Sequence, residues 1–439
     1  MSTQGVARDR TGPGRPRGGR PGSRRRGGRW LEEGAKRALL PLAGFLWPAR
    51  PETPRPLDQA GQVLIVRQDN RLGNLVLLSP FLVALRALAP QARVVFLAGD
   101  RYAEILDDFP WIDERLVLPK RWMIGHPHRV PGYLRGLSRR GWDIVFEVSN
   151  PDTHSFTNAL LTLASRAPAR VGFAHPRSRG ALSLAVAPPL RECHYSLAPL
   201  LLLSALGAQP PLETMRLSPA LTRLAGEAAA GAEPAVVIHP GARGSKRWPT
   251  ECFERLIAGI ASLRPECPVR LIGGPAERDL LVRLAGRDGG RIEARVLDSL
   301  PALVRALGGA RVYISCDAGP MHVAAALQVP VLALFLASHP LRYAPLGERH
   351  ETILLGERSR ALAGQERFPA CEEPRARGAG GHAAPWDARF HDRVTAMRPA
   401  CVRAKPGLGP AGEADFVLER LAALLERVAD ARGSRADRG

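Results

Sequence analysis

The sequence predicts an α/β protein made of two similar units, each built on a parallel β-sheet. Short apolar runs alternate with helical stretches through both halves of the 439-residue chain, and this alternation is typical of parallel strands joined by crossover helices. A stretch with several prolines and glycines at 207–234 separates the two series, so we interpret it as a linker. The length and the 45% hydrophobic content are enough for two sizeable cores.

The first unit, predicted at 57–206, contains five candidate strands. They are the runs QVLIVR, ARVVFLAG, RLVLP, DIVFEV and RVGFA. A helix at 194–206 is predicted to close this unit. The second unit, predicted at 235–400, contains the runs AVVIHP, VRLIGG, ARVLD, RVYIS, VPVLALF and ETILLG.

Two segments near the C-terminus depart from this alternation. Residues 359–399 are rich in Gly, Ala and Arg and lack periodicity, which predicts a long flexible insertion in the second unit. Residues 413–429 carry apolar side chains at helical spacing, which predicts a packed helix. We therefore expect 401–439 to be a C-terminal helix and tail.

Positive charge is concentrated at the N-terminus of a chain whose net charge is +20. Residues 1–29 hold nine arginines and one aspartate among glycines and prolines. We therefore predict that the N-terminal region, 1–56, starts with a disordered basic arm. The segment 30–47 mixes apolar and charged residues around Pro41. It falls far short of the roughly 20 apolar residues that span a bilayer. It is either a peripheral amphipathic segment or packs against the rest of the protein.

The basic arm has three interpretations. Arginines bind RNA, DNA or anionic lipid through counterion release, and a solvated arm without a partner is the third. No aromatic residue interleaves the arm before Trp30, which disfavours nucleic acid. Anionic lipid and a solvated arm are therefore the two interpretations that remain for this segment.

Cysteine usage indicates a reduced, cytoplasmic protein. The six cysteines form no C-x-x-C pair and have no zinc-ligand spacing. The sequence also has no D-x-D motif. We therefore expect no nucleotide-bound metal ion and no resident cofactor.

The segment 310–335 is predicted to form a strand, a tight turn, a helix and a second strand. Asp317 and Gly319 lie in the turn, Pro320 suits the first turn of the helix, and His322 follows. Such a unit directs helix N–H groups at whatever lies above the sheet, which favours phosphate. An ordinary crossover with a chance histidine is the alternative.

A second segment, 235–260, repeats the order of strand, polar glycine-rich loop and helix. His239, Arg243, Ser245 and Lys246 crowd its loop, at the carboxyl end of a predicted strand, where open α/β sheets bind ligands. A solvated basic loop is the alternative here. Two anion-binding loops in the same half together favour a nucleotide-sugar cleft.

The first half begins with a comparable unit at 61–100, and from here the chain resembles glycosyltransferase family 9, the ADP-heptose:lipopolysaccharide heptosyltransferases. Three ordered motifs carry the resemblance. They are the R-x-D-x-x-G-D turn with its following proline (Arg67, Asp69, Gly73, Asn74, Pro80), the H-P-G and K-x-W-P loop (His239, Pro240, Gly241, Lys246, Trp248, Pro249), and D-[ST]-G-P-M-H (Asp317, Ala318, Gly319, Pro320, Met321, His322).

The resemblance implies a GT-B fold, in which two Rossmann-like domains face each other across a cleft. It implies an inverting glycosyltransferase, with ADP-heptose as donor and a lipopolysaccharide-type glycan as acceptor. The donor would bind the second domain through His239, Gly241, Ser245, Lys246, Trp248, Asp317, Ala318, Gly319, Pro320, Met321 and His322. Asp69, Asn74 and Lys246 would form the catalytic set, with Lys246 stabilising the leaving diphosphate.

Two positions depart from the family pattern, and the first turn is also one residue longer than the pattern between Asp69 and Gly73. The family has an Asp, thought to be the general base, where this chain has Asn74, and an amide cannot take that proton. Another group serves as base, with Asp69 the nearest, or the activity differs or is lost. Alternatively, Asn74 caps a helix that begins at Leu75. Ala318 removes a hydroxyl that would bond the diphosphate.

Two other functions stay open at this point. A degenerate relative would bind a nucleotide sugar or a glycan without transfer, and Asn74 and Ala318 favour it. A basic nucleic-acid-binding protein is the other, and it rests on charge alone.

Overall fold

The computed structural model describes residues 55–68, 71–100, 103–107, 109–118, 125–178, 180–189, 193–286, 292–357, 402–405 and 407–436. The predicted basic arm at 1–29, the segment 30–47 and the insertion at 359–399 lie outside these residues. No helix within the described ranges is long and apolar enough to cross a membrane.

The first half contains a parallel sheet of six strands. These are β1 (Gln62–Arg67), β2 (Arg93–Ala98), β3 (Glu114–Val117), β4 (Ile144–Glu147), β5 (Ala169–Phe173) and β6 (Leu184–Val186). Their order across the sheet is β3-β2-β1-β4-β5-β6, which is the Rossmann order. The five predicted strands are confirmed, and β6 is an additional strand.

Within the described ranges, five α-helices accompany this sheet. They are α1 (Leu72–Leu77), α2 (Ser79–Leu88), α3 (Val130–Arg139), α4 (Phe156–Ala164) and α5 (Leu200–Ser204). The helix predicted at 194–206 is wrong in extent, because only its last part is helical. The backbone N–H of Tyr195 instead donates to the carbonyl of Arg342 at 3.0 Å, and the His194 ring bonds the carbonyl of Ala344 at 2.9 Å. Contacts with the second half therefore fix this segment.

The second half repeats the arrangement with seven parallel strands. These are β7 (Ala235–His239), β8 (Val269–Gly273), β9 (Glu293–Val296), β10 (Ala310–Cys316), β11 (Val331–Phe335), β12 (Glu351–Leu354) and β13 (Val402–Ala404). Their order is β13-β12-β11-β10-β7-β8-β9. The first six of these strands follow the same Rossmann order as the first sheet, and β13 extends it at one edge. The six strands predicted here are confirmed.

From the predicted linker onward, the described part of the chain contains the helices α6 (Pro219–Ala230), α7 (Thr250–Leu263), α8 (Arg278–Ala285), α9 (Leu300–Gly308), α10 (Gly319–Ala326), α11 (Pro340–Tyr343) and α12 (Pro410–Ala436). Short 3₁₀ turns occur at Leu57–Gln59, Ala103–Leu106, Pro127–Arg129, Pro176–Ser178, Gly244–Lys246 and Pro275–Glu277.

The predicted linker at 207–234 contains a helix, α6. Ser218 caps α6 by accepting from the N–H of Leu221 at 3.3 Å. A Cβ added to Gly308 would lie 2.2 Å from the carbonyl oxygen of Ala225, so α6 packs directly on α9. The segment 207–234 is thus anchored to the second unit.

Two large apolar clusters organise the interior. One continues from the first sheet through Phe81 and Phe146 to Tyr313 and Val323 of the second half, so the halves share apolar contacts. The other packs Phe253 of α7 against Val417 and other apolar residues of α12. The predicted packed terminal helix is confirmed, and it forms part of the core of the second unit.

Candidate active site

The two sheets have their topological switch points in equivalent places. β1 lies between β2 and β4, and β7 lies between β8 and β10. The loops that leave the carboxyl ends of β1 and β4, and of β7 and β10, are where doubly wound sheets bind ligands. The three motifs found in the sequence follow β1, β7 and β10. Topology therefore explains why residues far apart in the chain meet.

The loop after β7 brings Lys246 to the motif after β10. A 3₁₀ turn holds Lys246, and it is entered at Gly244 with φ 54°, a left-handed conformation that favours glycine. Lys246 Nζ donates to Asp317 Oδ2. It also lies 5.2 Å from the centre of the Tyr343 ring, within cation–π range.

Asp317 is the buried partner of this ion pair. Its side chain is 5% exposed, whereas that of Lys246 is 37% exposed. Ser338 Oγ also donates to Asp317 Oδ2, so the carboxylate is held from two sides. Lys246 is only partly covered, so its ammonium group can meet an anion.

The N-terminus of α10 follows Asp317 directly. Ala318 is the N-cap, with extended backbone and no side-chain cap hydrogen bond. Gly319 and Pro320 of the first turn are partly exposed. The positive end of the helix dipole and the uncapped N–H groups of the first turn favour an anion here. The missing hydroxyl at Ala318 leaves that role to backbone groups.

Two buried histidines support the loops. Burial lowers the pKa of His239 to about 4, and burial is also the main cause that lowers the pKa of His322 to about 4. Both rings are therefore neutral at pH 7. His322 Nε2 lies 4.0 Å from Asp317 Oδ1. A Cβ on Gly241 would lie 2.9 Å from His239 Nε2, so this glycine allows the loop to fold over the ring.

The first motif contacts the third across the two halves. A Cβ on Gly73 would lie 2.6 Å from His322 Cδ2 and 3.2 Å from the Cα of Gly319. The start of α1 therefore meets the start of α10 with no room for a side chain at Gly73. This approach joins the loop after β1 to the start of α10.

The local structure around Asn74 differs from the prediction. α1 begins at Leu72 with Arg71 as its N-cap, so Gly73 and Asn74 belong to the first helical turn. The hypothesis that Asn74 caps a helix starting at Leu75 is wrong. Asn74 is 8% exposed. Asp69, the substitute base suggested by the sequence, lies outside the described residues.

Two predicted donor-binding residues belong to the core instead. Trp248 is fully buried, and its Nε1 donates to Glu413 Oε2 of α12 at 3.1 Å. Met321 is fully buried as well. Neither side chain can reach a ligand, so both motif positions are structural. Ser245 is exposed on the loop beside Lys246.

The end of β4 supports the loop after β1. Arg67 donates to the carbonyl of Val148 at 2.6 Å, and the N–H of Gln68 donates to Asn158 Oδ1 at 3.0 Å. Asn158 in turn donates to Glu147 Oε1 at 3.2 Å. Burial raises the pKa of Glu147. This network fixes the direction in which the loop after β1 leaves the sheet.

Sequence reasoning missed a polar cluster at the boundary of the halves. Asp152, in the loop after β4, forms an ion pair with Arg342 of α11. Tyr195 Oη donates to Asp152 Oδ2 at 2.5 Å, and the Tyr195 and Tyr343 rings pack edge to face at 4.6 Å. Only the position of Asp152 after a strand could have indicated it.

Within the described ranges, no group of three or more His, Cys, Asp or Glu side chains could hold a metal ion.

Comparisons with known proteins agree with this geometry. Residues 133–369 match the profile described as glycosyltransferase family 9 (heptosyltransferase). Lipopolysaccharide heptosyltransferase 1 of Escherichia coli (strain K12) is 33% identical over 110 residues, which are 25% of this chain and 33% of that protein. The protein of the same name from Pseudomonas aeruginosa is 38% identical over 112 residues, 25% of this chain and 30% of that protein. The matched region thus spans about a third of these relatives.

Solved structures share the fold over a larger part of the chain. A family 9 glycosyl transferase from Veillonella parvula has a TM-score of 0.60 at 19% identity, covering 78% of this chain and 99% of that chain. The E. coli heptosyltransferase WaaC with ADP has a TM-score of 0.57 at 19% identity, covering 67% and 93%. These likenesses show the fold, and the predicted GT-B arrangement of two Rossmann-like domains is confirmed.

Proposed function

The chain belongs to glycosyltransferase family 9, and we propose that it transfers a sugar from a nucleotide diphosphate donor to a glycan acceptor with inversion at the anomeric carbon. The observation that carries the proposal is the ion pair of Lys246 and Asp317 at the N-terminus of α10. Lysine and a helix N-terminus together suit a diphosphate. Both lie at the switch point of the second sheet.

The proposed donor is ADP-heptose or a similar nucleotide sugar, and the proposed acceptor is a lipopolysaccharide-type glycan. The names of the curated relatives support this choice, and so does the order of the three motifs in the chain. The nucleotide sugar is a substrate, and the proposal assigns no resident metal ion or cofactor to the site.

Each half has a distinct part in the proposed reaction. Lys246 and the first turn of α10 neutralise charge that develops on the leaving diphosphate. Removing one such preorganised donor typically costs roughly 10²–10³ in rate. The first half presents the acceptor hydroxyl beside the start of α1, where Gly73 meets His322. A base must then take the proton of that hydroxyl.

The test is a transfer assay with the full-length protein. A panel of nucleotide sugars and a lipopolysaccharide-type acceptor are supplied, and nucleoside diphosphate release and the mass of the acceptor are measured. We expect one donor to give both signals, and Lys246→Ala to remove most of the rate. Release of diphosphate by no donor in the panel would contradict the proposal.

Binding without transfer is a second candidate function. Asn74 lacks a titratable carboxylate, and Ala318 lacks a hydroxyl at the N-cap of α10. A protein of this kind would bind a nucleotide sugar at Lys246 but leave the acceptor mass unchanged. The same assay, combined with calorimetry of donor binding, separates the two functions.

We also propose a peripheral location on the inner face of the cytoplasmic membrane. Nine arginines in 1–29 would attract anionic lipid through a charge effect that salt screens. Co-sedimentation with anionic vesicles should fall as salt rises and should largely vanish on deletion of 1–47. Equal sedimentation of the truncated protein would leave the arm without this role.

A further inference from the structure

We propose that Asp152 is the general base of the transfer reaction, an assignment that rests on the proposed function. Asn74 supplies no carboxylate at the start of α1. Asp152 lies in the loop after β4, and β4 is the direct neighbour of β1 in the first sheet. Its carboxylate therefore belongs to the acceptor-side half and to the same edge of the sheet as Asn74.

The Asp152 carboxylate is both oriented and accessible. Arg342 holds it with two nitrogens, one of them 3.4 Å from Oδ1. Tyr195 Oη donates to Oδ2 at 2.5 Å. The side chain is nevertheless 41% exposed. A planar guanidinium fork fixes the plane of a carboxylate, so a substrate hydroxyl would meet an acceptor group of defined direction.

A short chain of contacts links Asp152 to Lys246. Tyr195 donates to Asp152 and packs its ring on Tyr343 at 4.6 Å. Tyr343 lies under Lys246 Nζ at 5.2 Å. Two aromatic rings thus separate the carboxylate from the ammonium group. These contacts connect the proposed base to the ammonium group that faces the proposed leaving diphosphate.

The proton and electron balance of the step is complete. The acceptor oxygen forms a bond to the anomeric carbon while its proton passes to an oxygen of Asp152. The bond from that carbon to the diphosphate breaks, and its electron pair stays on the diphosphate oxygen, beside Lys246. Asp152 then returns the proton to water. Arg342 and Tyr195 are positioning residues in this scheme.

Among the residues that the structure describes, the charged and titratable groups that face Asp152 come from two elements. Arg342 and Tyr343 belong to α11, and Tyr195 belongs to the segment before α5. Burial, and then the hydrogen bond to Asp152, raises the pKa of Tyr195. Tyr195 therefore stays a protonated donor at neutral pH and leaves Asp152 as the proton acceptor.

The test uses full-length Asp152→Asn, which keeps the shape of the side chain. With the donor that the wild type turns over, we expect kcat to fall by about 10²–10⁴, the range for general base catalysis. ADP affinity should stay within about twofold of wild type, because the change lies outside the donor site. The acidic limb of the pH–rate profile should disappear. Arg342→Lys should lower kcat less and keep that limb.

Several outcomes would overturn the assignment. A kcat of Asp152→Asn equal to that of the wild type contradicts it. An equal loss of kcat in Asp152→Asn and Arg342→Lys, with the acidic limb retained in both, also contradicts it, because the ion pair would then have only a structural role. Loss of the acidic limb in Asp69→Asn alone would move the base to Asp69. A wild type that binds ADP but transfers nothing contradicts the proposed function too, whereas an active wild type with an unaffected Asp152→Asn contradicts the base alone. Thermal unfolding of each variant checks that it is folded.

Discussion

Lys246 and Asp317, 71 residues apart in the chain, form an ion pair in which the carboxylate is buried and the ammonium group is partly open. The ammonium group also faces the ring of Tyr343. Asp317 therefore holds a positive charge in place before any ligand arrives. An anion at this point meets a charge whose position has already been fixed, which is the arrangement that favours a leaving diphosphate.

Gly73→Ala should destabilise the contact between the halves. The added methyl group would lie 2.6 Å from His322 Cδ2, and the buried ring has little room to move. We expect the free energy of unfolding to fall by about 1–3 kcal/mol, as for other overpacked sites. Urea unfolding measures it.

Gly136→Ala is the matched control for this change. It lies inside α3 with nothing within 4 Å of the added Cβ. Alanine there should be neutral or stabilise the protein by roughly 0.5–1 kcal/mol. Equal stability of Gly73→Ala and wild type would mean that the starts of α1 and α10 do not meet as described.

Glu413→Ala should affect stability and leave donor binding unchanged. Glu413 accepts from Trp248 Nε1 at 3.1 Å and from the N–H of Gly356 at 2.7 Å. Removing the Glu413 carboxylate leaves both donors unsatisfied. Each buried unsatisfied donor lowers the free energy of unfolding by about 1–3 kcal/mol. Asp415→Ala, which breaks an exposed pair with Arg255 on the same helix, should cost about 0–1 kcal/mol. If Glu413→Ala bound ADP tenfold more weakly without any loss of stability, Trp248 would be a donor-binding residue after all.

His350 should make the protein less stable in acid. Burial is the main cause that lowers its pKa to about 4, below the unfolded value of about 6.5. The stabilisation is therefore complete above pH 6.5 and is lost as pH falls from 6.5 toward 4, because the unfolded chain binds the proton first. In urea unfolding, His350→Gln should lose less stability than wild type between pH 7.5 and pH 5. The difference at pH 7.5 corrects for altered packing, and parallel pH dependences would contradict the prediction.

Most of the fold could be predicted because buried strands are short apolar runs. β6 and β13 were missed, since each has three residues and β6 is only partly buried. The helix at 194–206 was overextended for another reason. His194 and Tyr195 bond the backbone of Arg342 and Ala344, and no local pattern reveals a partner almost 150 residues away.

The site could be predicted only in part. Motif order correctly brought Lys246 and Asp317 to one place, since strand ends of a parallel sheet share an edge. The same motifs assigned Trp248 and Met321 to the ligand, although burial makes them structural. Asp152 escaped notice because its significance depends on Arg342, 190 residues away. The motifs therefore indicated where the candidate site lies, and only the tertiary structure shows which of its residues belong to the core and which are polar and accessible.

Calorimetric titration of ADP into the full-length protein tests the donor site most directly. Charge-assisted hydrogen bonds contribute about 1.5–3 kcal/mol, so Lys246→Ala should bind ADP at least about tenfold more weakly than wild type. Arg255→Ala, an exposed change on α7, should bind ADP like wild type. Equal ADP affinity of Lys246→Ala and wild type, or no ADP binding by either, would contradict the account.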